Sequence, residues 1–504
     1  MGDTPAHGRR AEQADRSEPH DPPDDLTDPA EELDGPDDLQ RSITGRLLFF
    51  YVLGDVLGSG IYVLIGAVAA AVGGAFWLAF MAGVTVATLT GLAYAELVTK
   101  YPQAAGAALY VQRAFRRPFV TFIVTISMLS ATFAAAGSLA TGFSTYFAAV
   151  WDLPPALLVS VIFVCALAAV NFIGITESVT ANLVMTIVEV SGLVIIMAIG
   201  VAYALSGDAD FSVLTHFDTD GNPVFALVAG VALAFFAMTG FENAANVAEE
   251  TVDPKRSFPR ALVGGMVGAG VIYVLVAISA AIVVPFDALT DTSGDPALLQ
   301  VVQADIVPIP SAIMITVFSV IAMVAITNTT LVAVVTQSRI LFGMAREDVV
   351  PGAFAKIHAA RRSPWVALIF AAMVVTALLC IGTAVDRAGW GGSDGLVTTL
   401  ANVTVVLTLF IYGLVIVAAF VLRGQDESEE TFRAPTALLV LGLVGNATLL
   451  VYVVVDDWTS LVWCAGLLTL GVLLYLAERF LGGRTAPPGG PSAKDGTALG
   501  GGAR

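Results

Sequence analysis

Three carboxylates stand inside long apolar segments of this 504-residue chain. Asp55, Glu189 and Glu242 lie at expected membrane depth, with no lysine or arginine at that depth to pair with them. A carboxylate in hydrocarbon is costly and usually has a functional role. Without a cationic partner, each acid should keep a proton until a cation arrives. The acids therefore indicate either proton transfer or the binding of a cationic group.

Glycines surround one of these acids, in the stretch Gly54-Asp55-Val56-Leu57-Gly58-Ser59-Gly60-Ile61. Glycine loosens helical backbone, so this segment predicts a helix that breaks at membrane depth. A second segment, Phe235-Phe236-Ala237-Met238-Thr239-Gly240-Phe241-Glu242, again combines a glycine, a hydroxyl and a carboxylate. Paired interrupted segments are typical of a transport site. The alternative is that the glycines serve close helix packing.

The elements that carry these residues are membrane helices. Hydrophobic residues make up 57% of the chain and charged residues 13%, against roughly 25% charged in soluble domains. Apolar segments of about 20 residues or more can each span a bilayer. The fold class predicted is an all-α membrane protein of about twelve transmembrane helices. The expected spans are 47–72, 75–95, 119–150, 154–175, 179–206, 223–248, 261–284, 309–338, 364–385, 396–422, 436–455 and 459–478.

The domain organisation follows from composition and charge. Residues 1–40 are acidic and proline-rich without an apolar run, which predicts a disordered cytoplasmic tail and not a signal peptide. Residues 41–482 form the transmembrane domain, with helices 1–5 at 46–206, helices 6–10 at 223–422 and helices 11–12 at 436–480. Residues 483–504 are a second disordered cytoplasmic tail. Lysine and arginine concentrate in alternate loops, so both termini are placed in the cytoplasm, and an Ala/Val/Gly/Asp/Arg-rich composition favours a prokaryotic plasma (inner) membrane.

The two glycine-containing segments also suggest internal symmetry. Four helices separate their spans, so the first span runs outward and the sixth inward. This pattern predicts a five-helix unit repeated once in inverted orientation, with helices 1 and 6 broken.

The chain resembles the amino acid–polyamine–organocation superfamily, in its amino acid transporter branch, over residues 41 to about 480. The residues that carry the resemblance are Gly58-Ser59-Gly60-Ile61-Tyr62, Ala95-Glu96-Leu97 with Tyr101-Pro102, Phe235 to Glu242, Glu249-Glu250 with Pro254-Lys255-Arg256-Ser257-Phe258-Pro259, and Ser338 to Asp348. The resemblance implies a leucine-transporter-like fold with an amino acid bound between the two breaks.

The resemblance also implies a role for each side of the site. Backbone N–H groups at Ser59, Gly60 and Ile61, where the second half-helix begins, would hold the substrate carboxylate. Carbonyls near the ends of the first half-helices would accept from the ammonium. Phe236 and Phe241 would shield the substrate, with ordinary helix packing as the alternative. The substrate-binding residues expected are Val56, Leu57, Gly58, Ser59, Gly60, Ile61, Phe236, Ala237, Met238, Thr239, Gly240 and Phe241.

The coupling ion depends on Glu189. When Glu177-Ser178 and Asn182 are aligned with the family pattern, Glu189 takes the position where proton-coupled members often place a lysine, so the charge is reversed. Glu189 could bind and release a proton, help ligate sodium with Thr329 and Thr330, or be a structural protonated acid.

Asp55 and Glu242 each leave two interpretations open. Asp55 either shares a proton with Glu189 or contacts a substrate ammonium. Glu242 is a further candidate for coupling, although an acid at a helix N-terminus is favourable on electrostatic grounds alone.

The function predicted is amino acid permeation by proton-coupled symport with alternating access. The alternatives are an exchanger of amino acids, amines or polyamines, and a sodium-coupled carrier. An intramembrane enzyme is disfavoured because all four histidines lie outside the expected spans. No cofactor, metal site or nucleic-acid partner is predicted. The expected partners are a small-molecule substrate, a proton or sodium ion, and the bilayer.

Overall fold

The structure, a computed structural model, describes residues 43–481 apart from 104–105, 152, 174–178, 218–221, 291–294, 360, 362, 390–394 and 426–430. The two predicted tails, 1–40 and 483–504, lie outside the described residues. So do Glu177 and Ser178, and the side chain of Asn182.

The described part of the chain is helical and holds no named strand; a single β-bridge joins Ile43 to Thr251. Short 3₁₀ helices occupy Gly74–Phe76, Phe211–Thr215, Phe241–Val247 and Gly352–Ala355. The α-helices are α1 (Gly45–Leu57), α2 (Gly60–Val72), α3 (Trp77–Lys100), α4 (Gly106–Phe115), α5 (Pro118–Ala148), α6 (Ala156–Ile173), α7 (Val179–Ser206), α8 (Pro223–Phe236), α9 (Pro254–Val283), α10 (Phe286–Leu289), α11 (Ala297–Gln303), α12 (Ser311–Arg346), α13 (Trp365–Arg387), α14 (Gly395–Val421), α15 (Thr436–Asp456) and α16 (Trp458–Leu481).

The prediction of about twelve membrane spans is confirmed. Among the described residues, eleven helices are long and apolar enough to cross a membrane, and α1 with α2 makes a twelfth if the bent pair is one span. The two halves of that pair meet at an angle of 45°. The first span is therefore interrupted where the glycine cluster predicts it.

Several helices begin where the sequence provides a start signal. Pro118, Pro223 and Pro254 open α5, α8 and α9, at a position where the missing N–H costs nothing. Asn222 caps α8, its side chain accepting from the Val224 N–H at 2.9 Å. These signals determine where α5, α8 and α9 begin, and α8 is the helix that leads into the second interrupted segment.

The sixth span differs from a simple pair of α-helical halves. After α8 ends at Phe236, the chain continues beyond a turn as the 3₁₀ helix Phe241–Val247. In the bundle, α1 packs on α9 and α2 on α8, while α7 contacts α1, α9 and α12. The two interruptions are thus brought into one buried region beside α7, α9 and α12.

Candidate functional site

The first interruption leaves an uncapped helix end in the protein interior. Gly58 and Ser59 connect α1 to α2, and the Ser59 N–H donates to Thr329 Oγ1 at 3.1 Å. The Ser59 side chain is fully buried, does not cap α2, and finds no hydrogen-bond partner among the described residues. The first N–H groups of a helix have no carbonyl one turn earlier and carry partial positive charge. This end of α2 can therefore receive an anionic group.

The second interruption is a turn at Gly240 that the Glu242 carboxylate stabilises. Gly240 has φ 121°, a conformation that favours glycine. The Glu242 carboxylate accepts from the Gly240 N–H at 2.8 Å and from the Tyr412 hydroxyl at 2.6 Å. Glu242 thus stabilises the turn that precedes it, which is one of the two interpretations its position allows.

The two interruptions are in direct contact. A Cβ atom on Gly60 would lie 2.5 Å from Ala237 Cα, and one on Gly240 would lie 2.8 Å from the Asp55 carbonyl oxygen. Real Cβ atoms do not come so close, so glycine is needed at both positions.

Tyr273, on α9, joins the two interruptions. Its hydroxyl lies 2.6 Å from the Val56 carbonyl oxygen and 3.2 Å from that of Ala237, and is positioned to donate to either. Sequence reasoning missed this residue. The available signal was a tyrosine within an apolar span, since a buried tyrosine hydroxyl usually has a hydrogen-bond partner.

The residues expected to bind substrate lie together, on the two sides of this contact. Thr239 and Gly240 are half-buried and the others are buried. Thr239 Oγ1 donates to the Phe236 carbonyl at 2.7 Å. The buried members of the expected substrate-binding set are Val56, Leu57, Gly58, Ser59, Gly60, Ile61, Phe236, Ala237, Met238 and Phe241.

Phe241 belongs to an aromatic cluster. Its ring centroid lies 5.6 Å from that of Tyr94 and 5.1 Å from that of Tyr412. Tyr412 also donates to Glu242, so the cluster connects the start of the 3₁₀ helix to α3 and α14.

Glu189, on α7, is fully buried and its carboxylate has no hydrogen-bond partner among the described residues. Its electrostatic neighbours are the Asp55 carboxylate and the Asn328 amide. Asp55 in turn neighbours Glu242 and Asn243. Asp55 therefore interacts electrostatically with both of the other acids singled out in the sequence.

The backbone beside Glu189 is held by two further tyrosines. The Tyr62 hydroxyl donates to the Glu189 carbonyl at 2.6 Å, and the Tyr146 hydroxyl donates to the Tyr62 carbonyl at 2.8 Å. These bonds connect α7, α2 and α5. The position of Glu189 relative to α2 is therefore fixed by its main chain and not by its carboxylate.

The two threonines predicted to contribute to ion binding differ in what they contact. Thr329 Oγ1 reaches the first interruption through Ser59. Thr330 is buried, and its hydroxyl donates to the Ile326 carbonyl of its own helix at 2.7 Å.

A cavity of about 980 Å³ lies between α4, α5 and α12. Asn246, on the 3₁₀ helix after the second interruption, lines it. Its charged lining residues are Arg116, Arg117, Arg339 and Glu347. The cavity therefore extends to the segment that follows the second interruption.

Comparison with known proteins identifies the family. The family model described as "Amino acid permease" matches residues 45–473. The branched-chain amino acid permease BcaP of Bacillus subtilis (strain 168) is 25% identical over 468 residues, which cover 88% of this chain and 93% of that protein. The methylthioribose transporter of the same organism is 25% identical, with 79% and 84% covered. The chloroplastic cationic amino acid transporter 9 of Arabidopsis thaliana is 26% identical, with 64% and 58% covered.

By name these relatives are one permease and two transporters. The residues that the family model matches include both interruptions together with Asp55, Glu189 and Glu242. The chain is thus a transporter and not an enzyme, as the sequence predicts. It belongs to the amino acid permease family.

Proposed function

We propose that this protein is a secondary active transporter that moves an amino acid across the plasma membrane by alternating access, with a proton as the coupling ion. The observation that carries the proposal is the uncapped N-terminus of α2, with the unpartnered Ser59 hydroxyl beside it, placed against the second interruption. A buried polar group without a partner is destabilising. A bound carboxylate would supply that partner.

The substrate carboxylate binds at the beginning of α2. The N–H groups of Gly60 and Ile61 and the Ser59 hydroxyl are the donors. The interior is closed around this point, so each bond would form in a low-dielectric environment where charge-assisted hydrogen bonds are strong.

The substrate ammonium binds at the carbonyls of the two interruptions. Val56 and Ala237 already lie close enough to accept from one hydroxyl, that of Tyr273, so an ammonium between them has acceptors on both sides. Each carbonyl oxygen has two lone pairs. Tyr273 can therefore stay bonded while the substrate binds, and it positions both acceptors.

Glu189 and Asp55 carry the coupling proton. They are electrostatic neighbours, and the described residues include no ion pair to either carboxylate. Two adjacent buried carboxylates without a cation hold one proton between them. The substrate ammonium would favour the ionised pair, which links proton exchange to substrate binding.

A sodium-coupled carrier is the second candidate. Thr329 Oγ1 lies at the first interruption, and the unpartnered Oδ2 of Asp55 is the nearby carboxylate oxygen. A sodium ion, in place of the proton, would then neutralise negative charge on Asp55 and Glu189. The two candidates differ in which gradient drives uptake.

Alternating access would expose this site to each side in turn. In the described conformation the first interruption is buried and the second is buried or half-buried, while the cavity lined by Asn246 extends to the segment that follows the second. With both termini placed in the cytoplasm, this cavity is the cytoplasmic half of the pathway. An inverted repeat of helices 1–5 and 6–10 would supply the matching half on the other side.

The test is uptake by the purified full-length protein in liposomes. A panel of labelled neutral and cationic amino acids and polyamines is offered, with proton and sodium gradients imposed separately. We expect accumulation of at least one amino acid under a proton gradient and none under sodium alone. Accumulation driven by sodium alone would replace the proton as coupling ion, and absence of both accumulation and counterflow for every substrate would overturn the carrier proposal.

Gly60→Ala tests the location of the site. Its methyl group would meet Ala237 and separate the interruptions, so uptake should fall at least tenfold. Gly413→Ala is the matched control, because no atom lies within 4 Å of the added Cβ. Equal uptake by the two variants would place the substrate elsewhere.

A further inference from the structure

We infer that the groove between α6 and α13 binds an anionic phospholipid, with one acyl chain in the groove and the phosphate at its basic end. The groove has a volume of about 860 Å³. Cys165 and Phe172 line it from α6, and Trp365 and Cys380 line it from α13. Both cysteines are exposed, so the groove lies on the outer surface of the bundle, where the bilayer is the surrounding solvent.

The length of the groove matches one leaflet. From Trp365 to Cys380, α13 rises about 22 Å at 1.5 Å per residue. One leaflet with its headgroup region is about 20 Å thick. Trp365 is partly exposed at one end of the groove, and tryptophan is the residue type that concentrates at the membrane interface. The groove therefore runs from headgroup level into the hydrocarbon.

The loop before α13 places positive charge at that same end. His358 lines the groove, and its ring contacts Phe172 edge-on at 5.1 Å. The backbone N–H of His358 donates to the Ser363 carbonyl at 3.0 Å, and the Ser363 hydroxyl donates to the Phe172 carbonyl at 3.2 Å. The loop is thus bonded to the end of α6, with exposed Lys356 and Arg361 close in sequence to His358.

This distribution of charge determines the occupant. The exposed Lys356 and Arg361 lie two and three residues from His358, which lines one end of the groove, and the residues that line the rest of the groove are uncharged. An acyl chain fits the apolar part of the groove. The cations attract an anionic headgroup, and each lysine or arginine near an anionic lipid surface strengthens binding. A neutral lipid would leave the basic end unused.

Two packed helices form the walls of the groove. Helices α6 and α13 pack against each other, with axes about 8–10 Å apart. The apolar seam between them runs along their outer side, where an acyl chain can lie parallel to the helix axes.

Native mass spectrometry of the full-length protein tests the inference. The protein is incubated with equal amounts of phosphatidylglycerol and phosphatidylcholine that carry the same acyl chains. We expect wild type to retain phosphatidylglycerol about tenfold more than phosphatidylcholine. The double variant Lys356→Gln/Arg361→Gln should lose this preference, and Ala169→Trp, which fills the groove from α6, should lower retention of both lipids.

Matched controls separate the groove from the rest of the surface. Ala166 is exposed on α6 outside the set of groove-lining residues, and Arg346 and Arg479 are exposed cations at the ends of other helices. Ala166→Trp and Arg346→Gln/Arg479→Gln should behave like wild type. If Ala169→Trp does not fold, Cys380→Trp fills the groove from the opposite wall.

A photoreactive phosphatidylglycerol gives an independent readout. It should cross-link to peptides that contain residues 161–172 and 365–380. Equal retention of the two lipids by wild type, or full lipid retention by the groove-filling variant, would overturn the inference. A dimer that dissociates when the groove is filled would assign the groove to a second copy of the chain instead.

Discussion

Two buried glutamates of this protein lie in opposite environments. Glu96, near the end of α3, accepts from Arg423 Nε at 2.9 Å and Nη2 at 2.8 Å, and from the Ala434 N–H at 2.9 Å. Glu189 is at least as deeply buried and has no hydrogen-bond partner for its carboxylate among the described residues. The same functional group is therefore fully satisfied at one site and unsatisfied at the other.

The contrast distinguishes a structural charge from an exchangeable one. A buried ion pair with complete hydrogen bonding resists change, because separation would leave two unpaired charges. An unsatisfied acid can take up and release a proton without breaking such a pair. Glu242 is intermediate, since its carboxylate stabilises a turn yet neighbours Asp55.

The largest expected effect is at the structural pair. Glu96→Ala leaves Arg423 buried without its carboxylate and should lower the free energy of unfolding by about 3–5 kcal/mol. Thermal unfolding of the purified protein in detergent measures the change. The double variant Glu96→Met/Arg423→Met should recover much of the loss, because neither charge remains.

Asp253→Asn is the control for this prediction. Asp253 and Arg256 form an exposed pair at 4.0 Å, and such pairs contribute little. A Glu96→Ala protein that unfolds at the same temperature as Asp253→Asn would remove the proposed difference between the two glutamates.

Tyr273→Phe should have the next largest effect. The change removes the donor that the Val56 and Ala237 carbonyls share, and an unsatisfied buried acceptor costs about 1–3 kcal/mol. Uptake measured as kcat/KM should fall roughly tenfold to a hundredfold. Tyr203→Phe is the control, since the Tyr203 hydroxyl makes a long, exposed contact of 3.5 Å to the Asp208 carbonyl. Uptake by Tyr273→Phe equal to that of the control would mean that the interruptions do not need this connection.

Glu189→Gln tests the exchangeable acid directly. A pH difference of one unit supplies about 1.4 kcal/mol per proton, hence at most about tenfold accumulation. The variant should lose this accumulation and keep substrate counterflow. Its thermal stability should not fall, because the Glu189 carboxyl group has no hydrogen-bond partner among the described residues and is replaced by a neutral amide of nearly the same size.

Asp386→Asn is the matched control, since Asp386 is an exposed acid at the end of α13. Unchanged proton-driven accumulation in Glu189→Gln would contradict the coupling role. A stability loss as large as that of Glu96→Ala would make Glu189 structural as well.

Ser59→Ala should have the smallest effect. It removes one donor to the substrate carboxylate, worth about 0.5–1.5 kcal/mol, so KM should rise about two- to tenfold with little change in stability. Ser206→Ala, at the exposed end of α7, is the control. An unchanged KM would exclude the Ser59 hydroxyl from the carboxylate site.

The sequence was sufficient for the spans and for the position of the first interruption. Long apolar segments identify membrane helices because the bilayer requires about 20 such residues, and glycines at Gly58 and Gly60 mark the break. The second half of the sixth span could not be predicted as 3₁₀, because the Glu242 carboxylate that holds the turn is itself held by Tyr412, 170 residues later in the chain.

The hydrogen-bond partners within the site could not be predicted from the sequence either. Hydropathy shows that Tyr273 and Tyr62 are buried but not which carbonyls they meet, since every face of such a helix is apolar. Glu96 and Glu189 look alike as single acids in helices. The partner of Glu96 comes from a connection more than 300 residues later in the chain.

The shared hydroxyl of Tyr273 bears on the thermodynamics of the transport cycle. A phenol has one proton to donate, and two carbonyls from different half-helices compete for it. When either half-helix moves, the bond can pass to the other carbonyl without being lost. We therefore expect the enthalpy difference between successive conformations to be small, because movement of one half-helix transfers this hydrogen bond to the other carbonyl and does not abolish it.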